Sequence, residues 1–174
     1  MDEESTSGAP AAGLTRRLAA LLYDALLLLA LLFLGTLAIL PLTGGEAITP
    51  SAQHAAAYLY RGYLALLGLG FFGVSWTRSG QTLGMKSWRI RLESANGRAP
   101  GWGAATLRFT LGLGFALAAL YGLSLGHAPG WSAKDLAAAV LFVPLAANHA
   151  WILLDRRGRS LQDIICRMRV IRLP

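Results

Sequence analysis

Apolar residues along this chain fall into four long blocks, and polar residues gather between them. The blocks predict helices at about 14–40, 55–76, 104–125 and 135–154, each near the roughly 20 residues that carry a helix across the hydrocarbon core of a bilayer. Pro41 followed by Thr43-Gly44-Gly45 marks the end of the first helix, because proline and glycine interrupt the helical hydrogen-bond ladder. Residues 1–13 read as a disordered acidic tail, and residues 14–174 as a single transmembrane domain with no room for a separate soluble one. The expected class is an all-α membrane protein. A cleaved signal peptide is a poor explanation of the first block, given its length, Asp24 inside it, and the lack of a small-residue cleavage site before Pro41.

Composition agrees, since 55% of residues are hydrophobic, 14% are charged and the mean hydropathy is +0.49. The net charge of +7 would suit nucleic-acid binding, but its distribution follows membrane topology instead. Arg16 and Arg17 precede the first block; Arg78, Lys86, Arg89, Arg91 and Arg98 fill the segment after the second; Arg156, Arg157, Arg159, Arg167, Arg169 and Arg172 crowd the C-terminus. The other two loops hold only Glu46 and Lys134. The positive-inside rule therefore puts both termini in the cytoplasm, with anionic lipid headgroups as partners of the basic segments. The single cysteine, Cys166, excludes an intrachain disulfide framework and a Cys-based zinc site. No pair among His54, His127 and His149 has ligand-like spacing, so neither a metal nor another cofactor is expected.

The two basic segments superimpose at a constant offset. Arg78-Ser79-Gly80-Gln81-Thr82-Leu83 falls on Arg156-Arg157-Gly158-Arg159-Ser160-Leu161, and Arg89-Ile90-Arg91-Leu92 falls on Arg167-Met168-Arg169-Val170. The alternating basic and apolar residues suit short surface strands. The chain therefore reads as two tandem helix-hairpin repeats of like orientation, related by a pseudo-twofold axis along the membrane normal. Arg17 and Arg108 enter the first and third helices, whereas Asp24 has no acidic counterpart and Asp163 is matched by Met85.

Asp24 carries most of the chemical information. An ionised carboxylate in a spanning helix costs on the order of 2.5–3.5 kcal/mol on insertion scales and needs a partner, a cavity or a proton. Arg17 lies seven residues away, roughly 10 Å along a helix, so a contact needs an extended arginine. The expectation is a cluster of Arg17, Asp24 and Arg108 near the cytoplasmic side. Asn148 and His149, in the fourth helix, are placed to bond between helices or to extend a polar pathway from Asp24; Arg61 is expected to snorkel. Gly114, Ala118 and Gly122, and Gly68, Gly70 and Gly73, offer close helix contacts. Trp76, Trp102, Trp131 and Trp151 fall near helix ends, as an aromatic belt would have them.

An arginine opening the first span, an aspartate within it, a Gly80-Gln81-Thr82-Leu83-Gly84 segment followed by Lys86, and a closing Gly158-Arg159-Ser160-Leu161-Gln162-Asp163 together resemble the RDD family of prokaryotic membrane proteins. Arg17, Asp24 and Asp163 would be the three residues of its name, and Met85 falls where a polar residue is expected. The resemblance implies a multi-pass protein of the prokaryotic plasma (inner) membrane. It also implies a transport role: cation/proton antiport, with a monovalent cation and a proton as ligands and Asp24 as the exchanging group. The alternative is a non-transport accessory or assembly protein, with a structural Arg/Asp cluster. No nucleophile, base and ligand set suggests an enzyme. A homo-oligomer is expected, because four helices make a thin wall around a path.

Overall fold

The computed structural model describes residues 9–45, 54–125 and 133–174. The expectations for the acidic tail before residue 9, for Glu46, and for His127 and Trp131 lie outside the described residues, as do the side chains of His54 and Lys134. The molecule is mostly helical. Its long helices are α1 (Leu14–Ile39), α2 (His54–Ser79), α4 (Trp102–Leu125) and α5 (Ala133–Leu154). They lie within a few residues of the four apolar blocks, and α1 ends in a 3-10 turn at Leu40–Thr43 that contains Pro41. Three stretches are long and apolar enough to cross a membrane, namely Leu14–Thr43, Ala55–Ser79 and Trp102–Ser124. The described apolar part of α5 is the shorter Ala139–Leu154.

Each basic segment folds into a one-turn helix and a strand: α3 (Leu83–Ser87) and β1 (Ile90–Ser94), then α6 (Leu161–Ile165) and β2 (Met168–Arg172). The strands do not lie separately on the surface. They pair with each other, antiparallel, with Leu92 opposite Val170 and Glu93 opposite Arg169. Ala11 and Ala12 add to the far edge of β2 through an isolated bridge to Ile171 and an Ala12 N–H bond to the Val170 carbonyl at 2.9 Å, so both edges of β2 are satisfied.

The hydrophobic core sits at this end of the bundle. Ile90, Leu92, Met168 and Val170 bury one sheet face against Ala12, Ala20, Trp76, Met85, Ala105 and Cys166. Burial pushes the Cys166 thiol up from its ordinary range, away from thiolate chemistry. Along α1, by contrast, Leu22, Leu26, Leu29 and Phe33 are each more than 60% exposed. Such a helix is stable only where acyl chains replace water against it.

Backbone geometry recurs with the sequence match. Gly80 and Gly158 take left-handed φ of 70° and 61°, and Arg89 and Arg167 take 50° and 54°. A Cβ at Gly80 would come 2.5 Å from the Leu92 carbonyl oxygen, so glycine is required there for space as well as for φ.

Two packing expectations change. Gly68 and Gly73 receive Phe109 and Trp102 from α4, but Gly70 and Gly114 face open space. Trp76 is buried in the core rather than standing in an interfacial belt; it carries Arg108 over its ring at 5.7 Å, a cation–π contact that draws the indole inward. Trp102 and Trp151 are exposed.

Candidate functional site

Four helix ends meet at the sheet, and each brings polar side chains. Arg17 comes from the second turn of α1 and Arg108 from the second turn of α4, both turned toward α6. Arg17 Nη1 donates to Asp163 Oδ2 at 2.5 Å and Arg108 Nη1 to Asp163 Oδ1 at 2.6 Å. Asp163 is completely buried. It also closes a capping box: Ser160 N–H donates to Asp163 Oδ2 at 3.0 Å, and Asp163 N–H to Ser160 Oγ at 3.1 Å. The remaining guanidinium donors of Arg17 bind the backbone carbonyls of Ala12 and Gly158 at 2.9 and 2.7 Å. One side chain thus ties the N-terminal segment, α1 and the C-terminal unit together.

Burial by itself pushes the Asp163 carboxyl up, but Arg108, Arg17 and the Ser160 amide outweigh it and hold the group at about 2. Asp163 is therefore a permanent anion at any ordinary pH.

The expected Arg17, Asp24 and Arg108 cluster is not what forms. Both arginines go to Asp163, and among the described residues neither pairs with Asp24. The reason is reach: Arg17 and Asp24 are stacked about two turns apart on one helix, while Asp163 arrives level with Arg17 from α6. Asp24 remains buried at 3% exposure, satisfied by different partners. Its Oδ2 accepts from the Thr82 hydroxyl at 2.5 Å and its Oδ1 from the Gly84 amide at 2.9 Å. Thr82 is itself the N-cap of α3, its Oγ1 accepting from Met85 N–H at 3.1 Å.

Within the Gly80-Gln81-Thr82-Leu83-Gly84 segment each residue has a distinct place. Gly80 makes the turn, and Gln81 Nε2 reaches the Ile90 carbonyl at 2.8 Å to bind the loop to β1. Thr82 and Gly84 hold Asp24, while Leu83 and Lys86 are exposed. Gly84 permits the close approach of α3 to α1, since a Cβ there would stand 2.8 Å from Asp24 Cγ. Met85, the counterpart of Asp163 by sequence, is an apolar core residue.

Asn148 and His149 divide as well. Asn148 is buried, and its Oδ1 accepts from Gln162 N–H at 2.9 Å, so it joins α5 to α6. The Gln162 side chain then donates to the Arg108 carbonyl. His149 lies half-buried, its Nδ1 2.9 Å from the Leu145 carbonyl of its own helix. Arg61 is exposed over the Tyr58 ring at 5.8 Å.

These groups surround one cavity of about 350 Å³. Arg17, Asp24, Arg108, Asn148, His149 and Gln162 contribute its polar wall, and Leu21, Leu28, Phe109, Leu113 and Ile152 much of the apolar remainder. Among the described residues no three His, Cys, Asp or Glu side chains gather as metal ligands. Sequence reading missed α3, α6 and the assignment of the arginines to Asp163. A signal for α6 is present in Ser160-Leu161-Gln162-Asp163, which has the spacing of a capping box.

The model of the RDD family matches residues 11–167 of the chain, a span that includes every polar group of the site. No curated protein and no solved structure matched it.

Proposed function

The chain belongs to the RDD family, and from that premise we propose that it is a transport-related membrane protein that exchanges a monovalent cation for a proton, with Asp24 as the exchanging group. The contrast between two buried aspartates, Asp24 and Asp163, carries the proposal. Asp163 is neutralised by two arginines; Asp24 has a hydroxyl and an amide but, among the described residues, no fixed cation. A carboxyl group on the wall of a cavity within an apolar bundle takes its compensating charge from a proton or a small cation. Asn148, His149 and Gln162 line the same cavity and supply oxygen or nitrogen along a path.

The proposed architecture has four spans arranged as two tandem hairpins, α1–α2 and α4–α5, related by a pseudo-twofold axis along the membrane normal. The recurrence of short helix, left-handed arginine and strand after each hairpin supports it. The membrane proposed is the prokaryotic plasma (inner) membrane. Both termini are cytoplasmic in this reading, on the side where the basic residues lie, and a homo-oligomer thickens the wall around the path.

Proteoliposomes with an internal pH dye, challenged with Na⁺, Li⁺ and K⁺ gradients, test the exchange. Wild-type protein gives cation-dependent proton flux, and Asp24→Asn reduces it at least tenfold while the protein stays folded, because the asparagine oxygen still accepts from Gly84. Wild-type vesicles without such flux under every gradient would refute exchange. A second reading, an accessory membrane protein with a purely structural Asp24, is favoured by one observation: the bonds of Asp24 are those of a helix cap, the task Asn148 performs for α6.

A further inference from the structure

A second, separate concavity of about 270 Å³ lies on the outside of the sheet end. It is independent of the Asp24 cavity and of any exchange activity. Three arginines from distant parts of the chain meet around it: Arg16 from the first turn of α1, Arg89 from the turn between α3 and β1, and Arg172 from the end of β2. Trp88, 42% exposed, and Pro174 complete the rim. No Asp or Glu side chain lines the pocket, and among the described residues none pairs with these arginines. Arg16 Nη1 donates to the Trp88 carbonyl at 3.1 Å, and Arg89 Nη1 to a carboxylate oxygen of Pro174 at 3.5 Å, the one anionic group among the lining residues. Among the described residues, most of their guanidinium donors have no other acceptor and are left for a ligand.

We propose that this pocket binds a phosphate group, presented by an anionic lipid headgroup or as free phosphate. Three forked guanidinium groups around a small concavity match the several acceptor oxygens of a phosphate, and each charge-assisted bond is stronger than a neutral one. The position suits a headgroup. Arg16 stands on the third residue of a helix long and apolar enough to cross the bilayer, so the pocket opens where that helix leaves the hydrocarbon, and the exposed Trp88 indole prefers the same level. Basic side chains on a cytoplasmic surface are further drawn to anionic lipid. Left-handed φ does not by itself mark the site, since Arg167 shares it with Arg89 and is not in the pocket.

Full-length protein in detergent, given phosphatidylglycerol or phosphatidylcholine and weighed intact by native mass spectrometry, tests the proposal. Wild type retains phosphatidylglycerol in preference, and R89Q/R172Q lowers the retained fraction at least fivefold. The control R156Q/R157Q, which removes the same charge from exposed residues outside the pocket, stays within twofold. Thermal unfolding checks that R89Q/R172Q is folded, and Arg16→Gln provides a second variant should it not be. Displacement of the lipid by inorganic phosphate makes free phosphate a ligand as well; retention against it makes the pocket a headgroup site. Equal retention by R89Q/R172Q and wild type, or equal loss in the control, overturns the proposal.

Discussion

The first turns of α3 and α6 are the same piece of structure built twice with different chemistry. In each, a hydroxyl residue caps the turn, Thr82 or Ser160, and a buried side chain from a long helix accepts the amide two residues on. For α3 that acceptor is Asp24 of α1, bonded to Gly84; for α6 it is Asn148 of α5, bonded to Gln162. The amide of asparagine makes its bond without a charge to settle. At α6 the charge comes instead from Asp163 and is answered by Arg17 and Arg108, while at α3, among the described residues, no arginine pairs with Asp24. Similar capped turns thus support a lock at α6 and an ionisable group beside a cavity at α3.

The largest effect is expected at the lock. Asp163→Asn leaves two partly buried arginines without their anion and is expected to cost about 3–5 kcal/mol, read as a lowered midpoint of thermal or denaturant unfolding in detergent. Removing the Asp24 acceptor by Asp24→Ala strands the Gly84 amide and the Thr82 hydroxyl and costs about 1–3 kcal/mol by the same measurement. Asp24→Asn costs less, because one acceptor oxygen survives.

Acid unfolding sharpens the distinction further. Asp163 has a folded-state value of about 2 against 3.8 when unconstrained; a depressed carboxyl adds stability that is complete above its unfolded value and disappears as pH falls through the folded one. Wild-type stability is therefore expected to fall by about 2 kcal/mol between pH 4 and pH 2 from this group, a component missing from Asp163→Asn. On the neutral side, Asn148→Ala should cost about 1–2 kcal/mol by stranding the Gln162 amide. The smallest effect belongs to the partly exposed Asp155–Arg159 pair, 3.1 Å apart. Arg159→Gln is expected to leave the unfolding midpoint essentially unchanged, because water screens the pair.

Much of this arrangement was legible in the residues. The four helices follow from the apolar blocks, and the recurrence of Arg78–Leu92 at Arg156–Val170 corresponds to the short helix and strand that each segment forms, α3 with β1 and α6 with β2. The alternation in Arg89-Ile90-Arg91-Leu92 anticipated strands, and Arg17, Asp24, Arg108, Asn148 and His149 line one cavity, whereas Arg61 stands apart from it. Their pairing was not legible. Which carboxylate meets Arg17 depends on how far α6 folds back beneath α1, a tertiary fact with no local signature. Trp76 was misplaced for a related reason: position near a helix end suggested the interface, but Arg108 and the sheet core draw the ring inward. Gly114 had the right spacing for close packing, yet α4 turns it away from its neighbours. Thr82 as a cap holding Asp24 could not be read from spacing, because donor and acceptor are 58 residues apart.

Double-mutant cycles on Arg108, using unfolding free energy in detergent, test the separation of the two acids most directly. Arg108→Gln combined with Asp163→Asn should show a coupling of about 1–3 kcal/mol, and Arg108→Gln combined with Asp24→Asn a coupling within about 0.5 kcal/mol of zero. Coupling of Arg108 to Asp24 as strong as, or stronger than, its coupling to Asp163 would contradict the account.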